Sequence, residues 1–261
     1  MKLPILNTTG AKVGEQELPK VFDTPVRQDL ILRTNLAITS HKRQPYGTDP
    51  RAGAKSAAKL SRRRRKYKTA YGKGISRIPR KIMSRNGERM NWVGAFAPGT
   101  VGGRMAFPPS AQKNWHQKIN QKERTLARNS ALAATVNKQH VSSRGHRIPS
   151  TFPFIISTDF ETLDKATKVV EALDKLGLTQ ELERCDTRVI RAGRGKNRGR
   201  PYITKIGPLL VVSGPCKLLA AGRNIPGIDV MPAGRLSTMN LAPGSRPGRL
   251  TLYTQGALAK L

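Results

Sequence analysis

FIISTDFETLDKATKVVEALDKLG, residues 154–177, contains a short apolar strand followed by an amphipathic helix. The strand is Phe154-Ile155-Ile156, and we expect the helix to end at Gly177, because glycine readily adopts the left-handed conformation that caps many helices. The apolar residues on one face of this helix are Leu163, Ala166, Val170 and Leu173. A strand that leads into a helix is typical of proteins in which helices cover a sheet.

Three more apolar segments follow this pair along the chain. Leu209-Leu210-Val211-Val212 is a second buried strand, and residues 228–230 and 250–253 are candidates for a third and a fourth. Short buried strands that alternate with helices predict a parallel sheet, because each crossover places a helix over the sheet. The predicted fold class is therefore α/β, a single globular domain with a mainly parallel sheet flanked by helices.

Two helices are predicted upstream of this region. The first starts with Thr24 as N-cap and Pro25 at the first helical position, and it runs to about Ser40. The second is the alanine-rich stretch Asn120–Gln139. The apolar face of the first helix consists of Val26, Leu30 and Ala37.

The segment between these two helices has the composition of an irregular loop. Pro45–Lys118 contains nine Gly and six Pro and has no sustained apolar period of 3.6 or 2. Such a segment cannot bury enough apolar surface to offset the entropy that it loses on ordering. We therefore expect residues 1–44 and 119–261 to form the globular α/β domain. Residues 45–118 are expected to form a long extended basic loop, mobile when free and ordered when a polyanion neutralises it.

The positive charge of the chain is concentrated in that loop. The 261 residues include 48 Lys+Arg against 16 Asp+Glu, a formal charge of +32. Residues 51–122 carry 19 cations and one acid, Glu88, whereas residues 1–50 carry 7 and 5, and residues 123–261 carry 22 and 10. Such an excess repels itself unless a polyanion neutralises it, and nucleic acid is the commonest polyanion. The composition predicts a nucleic-acid-binding protein, with RNA as the expected ligand.

The densest run of cations is Arg62-Arg63-Arg64-Arg65-Lys66-Tyr67-Lys68. It fits a solvated surface, a nuclear-localisation patch or a phosphate-binding segment, and the repulsion between consecutive cations favours phosphate binding. Further along, the basic segments Ile75–Lys81 and Gly102–Pro109 flank Trp92 and Phe96. Arginine, glycine and aromatic side chains suit RNA, because aromatic rings stack on unpaired bases. Trp92 and Phe96 fit a local hydrophobic cluster equally well.

A second basic, glycine-rich loop spans Arg191–Arg200. It differs from a dinucleotide-binding fingerprint, because Arg198 occupies the place of the third glycine and Gly199 comes one residue late. The loop also precedes a strand instead of linking a strand to a helix, and no well-placed acid follows it. We therefore predict a second RNA contact here and not a nucleotide-cofactor site.

No catalytic or metal-binding constellation is recognisable in the sequence. Cys185 and Cys216 are isolated, and the four histidines are scattered among basic residues. Spacings such as Glu161/Lys165 indicate surface ion pairs on a helix. An anionic membrane surface is a second polyanion to consider, but no run of about 18 apolar residues is present to span a bilayer. We expect no enzyme activity, no cofactor and no small-molecule substrate.

Eight blocks of residues, taken together and in order, identify a family. They are Val21–Leu30, Arg77–Arg80, Gly102–Pro109, Ser130–Thr135, Arg144–His146, Ala192–Lys196, Leu241–Gly244 and Pro247–Leu250. With these blocks the chain resembles, over nearly its whole length, the universal large-subunit ribosomal protein four family in its archaeal and eukaryotic form. The chain ends at Leu261 without the long eukaryotic extension, so we expect the archaeal form. The stretch Met83–Trp92 is bulkier than the glycine-rich loop tip of many family members.

The resemblance implies a structural constituent of the large ribosomal subunit, located in the ribosome in the cytoplasm. It implies that the globular domain lies on the outer face of the subunit and that the protein binds large-subunit ribosomal RNA and supports assembly. It also implies that the loop reaches the wall of the nascent-peptide exit tunnel, around Arg77–Gly103. The implied partners are this RNA, neighbouring large-subunit ribosomal proteins and the nascent polypeptide, with no membrane. Any Mg²⁺ or K⁺ ions would belong to the RNA and not to a protein site.

The residues predicted to contact RNA are cations of the two basic loops. They are Arg62, Arg63, Arg64, Arg65, Lys66, Lys68, Lys73, Arg77, Arg80, Lys81, Arg104, Lys113, Arg191, Arg194, Lys196, Arg198 and Arg200. Residues predicted to stack on bases or to face the tunnel are Arg85, Arg89, Trp92 and Phe96. The alternative function is that of a chromatin-type protein that binds nucleic acid without sequence preference. Such a protein would need no globular anchor for a single loop, and the sequence contains no evident base-reading helix motif.

Overall fold

The computed structural model of the chain describes residues 1–66, 68–87 and 89–261. Two residues of the predicted loop, Tyr67 and Glu88, lie outside the described residues. The chain divides into two compact units, which we call the globular unit (residues 1–41 and 116–261) and the insert (residues 42–115). The predicted functional boundaries at 44/45 and 118/119 lie close to these limits and stay a prediction.

The described residues form ten strands and eight α-helices. The strands are β1 (Lys2–Leu6), β2 (Lys12–Glu17), β3 (Arg80–Asn86), β4 (Arg89–Gly94), β5 (Ile155–Ile156), β6 (Val189–Ile190), β7 (Tyr202–Ile203), β8 (Leu209–Val212), β9 (Asp229–Pro232) and β10 (Thr251–Thr254). The helices are α1 (Gln28–His41), α2 (Gln121–Val136), α3 (Lys138–Ser143), α4 (Ala166–Lys175), α5 (Thr179–Asp186), α6 (Leu218–Gly222), α7 (Thr238–Leu241) and α8 (Gln255–Leu258).

The globular unit is built around a mainly parallel sheet. Its six strands, within the described part of the chain, lie in the order β2-β1-β5-β10-β8-β9, and only the pair β1–β2 is antiparallel. The register places Tyr253 of β10 beside Val211 of β8, which in turn lies beside Met231 of β9. The predicted α/β class and its mainly parallel sheet are therefore confirmed.

Helices bury both faces of this sheet. Leu209 and Val211 of β8 belong to a core shared with α1, α2, α7 and α8, whereas Leu210 and Val212 belong to a core shared with α3, α4 and α6. Because successive side chains of a strand point to opposite faces, a strand covered on both sides is apolar throughout instead of alternating. Burying each of these side chains contributes about 1.5–3 kcal/mol.

The start of α1 differs from the prediction. Thr24 does not cap the helix: it lies four residues before the first helical residue, and its hydroxyl donates to the carbonyl of Val21 over 2.8 Å. The helix begins only at Gln28, and the N–H of the preceding Arg27 donates to Ser130 Oγ over 2.6 Å. Since Ser130 lies 103 residues further along the chain, the local Thr-Pro signal could not show where the helix begins.

The second predicted helix is divided in two. Asn137 adopts an extended conformation and its side chain accepts a hydrogen bond from the N–H of Gln139, so it ends α2 and caps α3. Downstream, α4 begins only at Ala166, so Leu163 of the predicted apolar face lies outside the helix. It directly follows a separate 3₁₀ turn over Thr158–Thr162. Gly177 follows α4 with φ of +80°, as expected.

The predicted ion pair between Glu161 and Lys165 is wrong. The carboxylate of Glu161 accepts hydrogen bonds from the N–H and hydroxyl of Ser213, at 2.8 and 2.6 Å, and from Thr254 Oγ1 at 2.6 Å. It therefore ties together the ends of β8 and β10. Burial raises the pKa of this carboxyl, but the hydrogen bonds outweigh that effect and keep the pKa below its usual value.

The insert contains the antiparallel hairpin β3–β4, which its lack of apolar periodicity did not predict. Arg80 pairs with Gly94, Ile82 with Trp92 and Asn86 with Arg89. Apart from Arg80, the residues of β3 are exposed or only half-buried, so no apolar alternation marks the strand.

Candidate nucleic-acid interface

The densest run of cations lies on an exposed loop of the insert. The loop is closed where Ser61 bridges Thr69 and where the N–H of Ser61 donates to the carbonyl of Lys68 over 3.3 Å. All five side chains of Arg62–Lys66 are exposed, and none of them forms an ion pair with a carboxylate in the described part of the chain. Their charge is therefore available to an external anion.

Arg80, which is predicted to contact RNA, is the one buried side chain among the predicted site residues that the structure describes. Its side chain is buried, with 9% exposed, and its guanidinium donates to the carbonyl of Ile78 and to Ser76 Oγ at 3.3 and 3.0 Å. The same guanidinium lies 5.2 Å from the ring centre of Trp92, and Nζ of Lys73 lies 5.5 Å from the same ring centre. Arg80 therefore holds the base of the β3–β4 hairpin against the rest of the insert.

Two further cation–aromatic pairs stabilise the insert. The guanidinium of Arg77 lies 4.5 Å from the ring of Tyr71, and that of Arg104 lies 5.4 Å from the ring of Phe96. Each such contact contributes about 0.5–1 kcal/mol at an exposed site. Both rings keep an accessible face or edge, since Phe96 is exposed and Tyr71 is half-buried.

The two ends of the insert, residues 43–53 and 103–115, run alongside each other, and we call this part the neck. The N–H of Thr48 donates to the carbonyl of Pro109 over 3.1 Å. At Gly53, where φ is +74°, a Cβ would lie only 2.4 Å from the backbone of Gly103 and Arg104. A side chain at this position is excluded on both grounds, so the close approach of the two segments requires glycine.

The neck also contains an aromatic cluster that sequence reasoning missed. The rings of Tyr46 and Trp115 stack at 5.1 Å, and the guanidinium of Arg43 and Nζ of Lys113 lie 4.4 and 5.0 Å from the Trp115 ring. Of these four residues only Lys113 was predicted as a site residue. The sequence signal that could have predicted this cluster is a cation close to an aromatic residue near each end of the loop, Arg43 with Tyr46 and Lys113 with Trp115.

The second basic loop is the tip of a hairpin. Strands β6 and β7 pair through Val189–Ile203 and Ile190–Tyr202, so residues 191–201 connect them. Arg191 closes the loop, since its guanidinium donates to the carbonyls of Arg200 and Tyr202 at 3.1 and 3.2 Å. The remaining predicted cations of the loop, which are Arg194, Lys196, Arg198 and Arg200, are exposed.

A buried ionic network lies within the globular unit, and one of its members contacts the segment that follows the β6–β7 hairpin. Glu181 on α5 is fully buried, and its carboxylate accepts two hydrogen bonds from Arg184, at 2.7 and 2.8 Å, and one from the N–H of Arg147 at 2.8 Å. His146 Nδ1 lies 2.6 Å from the same carboxylate, and we assign its proton to that nitrogen. Arg184 also donates to the carbonyl of Ile206, next to β7, over 2.7 Å.

The pKa values of this network follow from burial and pairing. Burial alone would raise the pKa of Glu181, but the hydrogen bonds from Arg184, His146 and the Arg147 N–H lower it to about 2. Burial lowers the pKa of His146 below its ordinary value, against the opposing effect of Glu181. Glu181 is therefore ionised and His146 neutral at pH 7, which makes His146 a structural residue.

The predicted site residues fall into three groups by exposure. The exposed ones are Arg62, Arg63, Arg64, Arg65, Lys66, Lys73, Arg77, Arg85, Arg89, Phe96, Lys113, Arg194, Lys196, Arg198 and Arg200. The half-buried ones are Lys68, Lys81, Trp92, Arg104 and Arg191, and the buried one is Arg80. The structure brings Lys73 and Arg80 together on Trp92 and places Arg104 on Phe96.

The described residues offer little for catalysis. No group of three His, Cys, Asp or Glu side chains that could hold a metal ion occurs among them. Burial raises the pKa of the Cys185 thiol to about 11 and that of Cys216 above its ordinary value, so neither is an activated nucleophile. None of the helices among the same residues is long and apolar enough to cross a bilayer.

Comparison with known proteins gives one consistent result. The family model described as "Ribosomal protein L4/L1 family" matches residues 16–261. A large ribosomal subunit protein uL4 from Nanoarchaeum equitans is 45% identical over 262 residues, covering 100% of this chain and 97% of the relative. Proteins of the same name from Saccharolobus islandicus and Methanopyrus kandleri are 42% and 41% identical, over 97% and 100% of this chain and 91% and 98% of their own lengths.

Proposed function

The chain belongs to the ribosomal protein L4/L1 family, of the archaeal type, and is a structural constituent of the large ribosomal subunit rather than an enzyme; on this premise we propose how it works there. We propose that it binds large-subunit ribosomal RNA mainly through the insert and thereby supports assembly of the subunit in the cytoplasm. Its further partners are neighbouring large-subunit proteins. The insert also extends to the wall of the nascent-peptide exit tunnel.

The observation that carries this proposal is the unpaired charge of Arg62–Lys66. Five consecutive exposed cations without carboxylate partners in the described residues repel one another. Phosphates placed between them remove that repulsion and release condensed counterions, which favours binding of RNA. The exposed cations of the loop 191–200 provide a second set of contacts on the globular unit.

The form of the insert supports a role inside packed RNA. The β3–β4 hairpin is anchored at its base by Arg80, and beyond that base it exposes the side chains of Met83, Arg85 and Arg89. Val101 and Phe107, beyond the hairpin, are 94% and 95% exposed. Apolar side chains exposed to this degree suit a segment that is covered by bases or that borders a nascent chain.

Deletion of the insert tests this proposal. Residues 62–104 are removed and the ends are joined by a short Gly/Ser linker, while a control variant keeps the insert and carries Lys165→Gln just before α4. The deletion variant should unfold cooperatively but should fail to enter large subunits, as judged by co-sedimentation after a moderate salt wash. Normal incorporation would refute a role of the insert in assembly.

Chemical footprinting separates RNA binding from general nucleic-acid binding. We expect the full-length protein to protect defined positions of large-subunit ribosomal RNA and to protect duplex DNA only weakly at the same salt concentration. Preferential protection of the DNA would contradict the proposal and favour a chromatin-type protein.

Cross-linking tests the contact with the exit tunnel. A photo-reactive group at position 83 should cross-link to a stalled nascent chain in intact ribosomes if the β3–β4 hairpin reaches the tunnel wall.

A further inference from the structure

A cleft in the globular unit lies outside both predicted basic loops. It has a volume of about 330 Å³ and lies between α1, α2 and the segment 234–238 that leads into α7. One wall is a single face of α2, formed by residues at positions i, i+3, i+4 and i+7. These are Gln121, Arg124, Thr125 and Arg128. Ile38 of α1 and residues 234–238 complete the lining.

The charge in this cleft is entirely positive. Arg124, Arg128 and Arg235 line it, and no acidic side chain does, among the residues that the structure describes. The acid nearest in sequence, Glu123, is not among the residues that line the cleft, and its Oε1 pairs with Arg33 of α1 at 3.0 Å. Three guanidinium groups around one concavity without a carboxylate are unfavourable unless an anion joins them.

Buried donors in the cleft lack partners. Thr238 is only 2% exposed, and its hydroxyl has no hydrogen-bond partner within the described residues. Nε of Arg128 is likewise buried without a partner. Ser237, which also lines the cleft, makes no side-chain cap to α7. Buried polar groups in folded proteins are nearly always paired, so unpaired donors that line a cleft point to a ligand that supplies acceptor oxygens.

We propose that this cleft binds a phosphate group of the RNA backbone, held by Arg124, Arg128 and Arg235 with the hydroxyls of Ser237 and Thr238. The planar guanidinium fork matches two phosphate oxygens at once, and a hydroxyl supplies a further donor. The identity of the ligand as RNA rests on the function proposed above, whereas the phosphate chemistry rests on the cleft itself. The site gives the globular unit an RNA contact independent of its basic hairpin loop.

Filter binding of full-length protein to in vitro transcribed large-subunit ribosomal RNA tests the cleft. The test variant carries Arg124→Gln, Arg128→Gln and Arg235→Gln. The control variant removes the same charge from the opposite face of the sheet through Lys165→Gln, Lys217→Gln and Arg223→Gln, all exposed residues on or beside α4 and α6. We expect the test variant to bind at least about fivefold more weakly and its log–log salt slope to fall by about 1, as for the loss of one phosphate contact.

The control variant should keep an affinity within about twofold of the wild type, because it removes only long-range charge. Equal losses of RNA affinity in both variants would refute the phosphate site in the cleft but not the proposed binding of RNA. Absence of RNA binding by the wild type would refute the proposed function itself. If the test variant is unfolded by circular dichroism, Arg124→Gln alone replaces it, because this side chain is exposed; an unchanged affinity would then refute the site.

A calorimetric titration with inorganic phosphate separates the two sources of the anion. Weak, millimolar binding of inorganic phosphate that the test variant loses, together with weaker RNA binding, supports an RNA phosphate site. Tight phosphate binding with unchanged RNA affinity in the test variant would show a site for a free anion and overturn the proposal.

Discussion

Replacing Glu181 by Gln tests whether the buried network beneath the β6–β7 hairpin stabilises the globular unit. The amide keeps the shape of the side chain but removes the charge that Arg184, His146 and the Arg147 N–H share. The pKa of Glu181 falls from 4.5 to about 2 in the folded protein. At about 1.4 kcal/mol per pKa unit, a shift of this size corresponds to about 3 kcal/mol of stability. The loss of one partner from a buried ion pair also destabilises a protein by about 3–5 kcal/mol.

The assay is thermal and urea unfolding of the full-length protein, followed by circular dichroism at high salt to suppress self-repulsion. A loss of about 3 kcal/mol should lower Tm by roughly 6–12 °C in a unit of this size. Glu183→Gln is the matched control, because Glu183 lies on the same helix but is exposed, and its Tm should change by no more than about 2 °C.

The pH dependence gives a second test of the same network. Since the folded pKa of Glu181 lies below the unfolded one, its contribution is complete above pH 4.5 and is lost as the pH falls towards 2. His146, whose pKa is also lowered, adds a loss in the same direction as the pH falls below 6.5. The Gln variant should lack the share of Glu181 in the loss between pH 4.5 and 2, whereas Glu161, whose pKa is also lowered, keeps its own share. A variant as stable as the control, or one with the wild-type acid dependence, would refute the reasoning.

Two further predictions concern the insert. Replacing Arg62, Arg63, Arg64 and Arg65 by Gln should lower the log–log salt slope of RNA binding by roughly 3, because each lost phosphate contact reduces the slope by about 0.7. The slope is measured by filter binding between about 50 and 200 mM salt. An unchanged slope would show that this run contacts no phosphates. Arg80→Ala should increase tryptic cleavage within residues 70–95 by roughly tenfold, which corresponds to the loss of about 1.4 kcal/mol of local stability, while the Tm of the globular unit stays unchanged. The control is Arg89→Ala, at the exposed tip of the hairpin. Equal cleavage of the two variants would contradict the anchoring role of Arg80.

The central strands of the sheet could be predicted because their apolar character is local. Leu209–Val212 is apolar throughout, and a strand buried on both faces needs no other signal. Strands β1 and β2 gave no such signal: Lys2–Leu6 contains Pro4, and Lys12–Glu17 is polar and mostly exposed at the sheet edge. Their place in the fold depends on pairing with each other and with β5, which no local pattern reports.

The chemistry of the candidate interface could be predicted more fully than its geometry. The exposed cations of 62–66 and 194–200 follow directly from composition, since charged side chains stay at the surface unless they are paired. The burial of Arg80, by contrast, depends on Ser76, Ile78 and Trp92 meeting around one guanidinium. The arginine cleft likewise joins residues of α2 to residue 235, more than 100 positions apart in the sequence.

The contacts between α1 and α2 have a consequence for how the length of the insert can change over time. Arg27 with Ser130 and Arg33 with Glu123 join the two helices from which the insert departs, so the globular unit closes this loop without help from the insert. Closing a flexible loop becomes less favourable by only about 0.6 kcal/mol for each doubling of its length. Insertions and deletions beyond the neck are therefore nearly neutral for folding, and the length of the insert can evolve under selection by its surroundings while the globular unit stays unchanged.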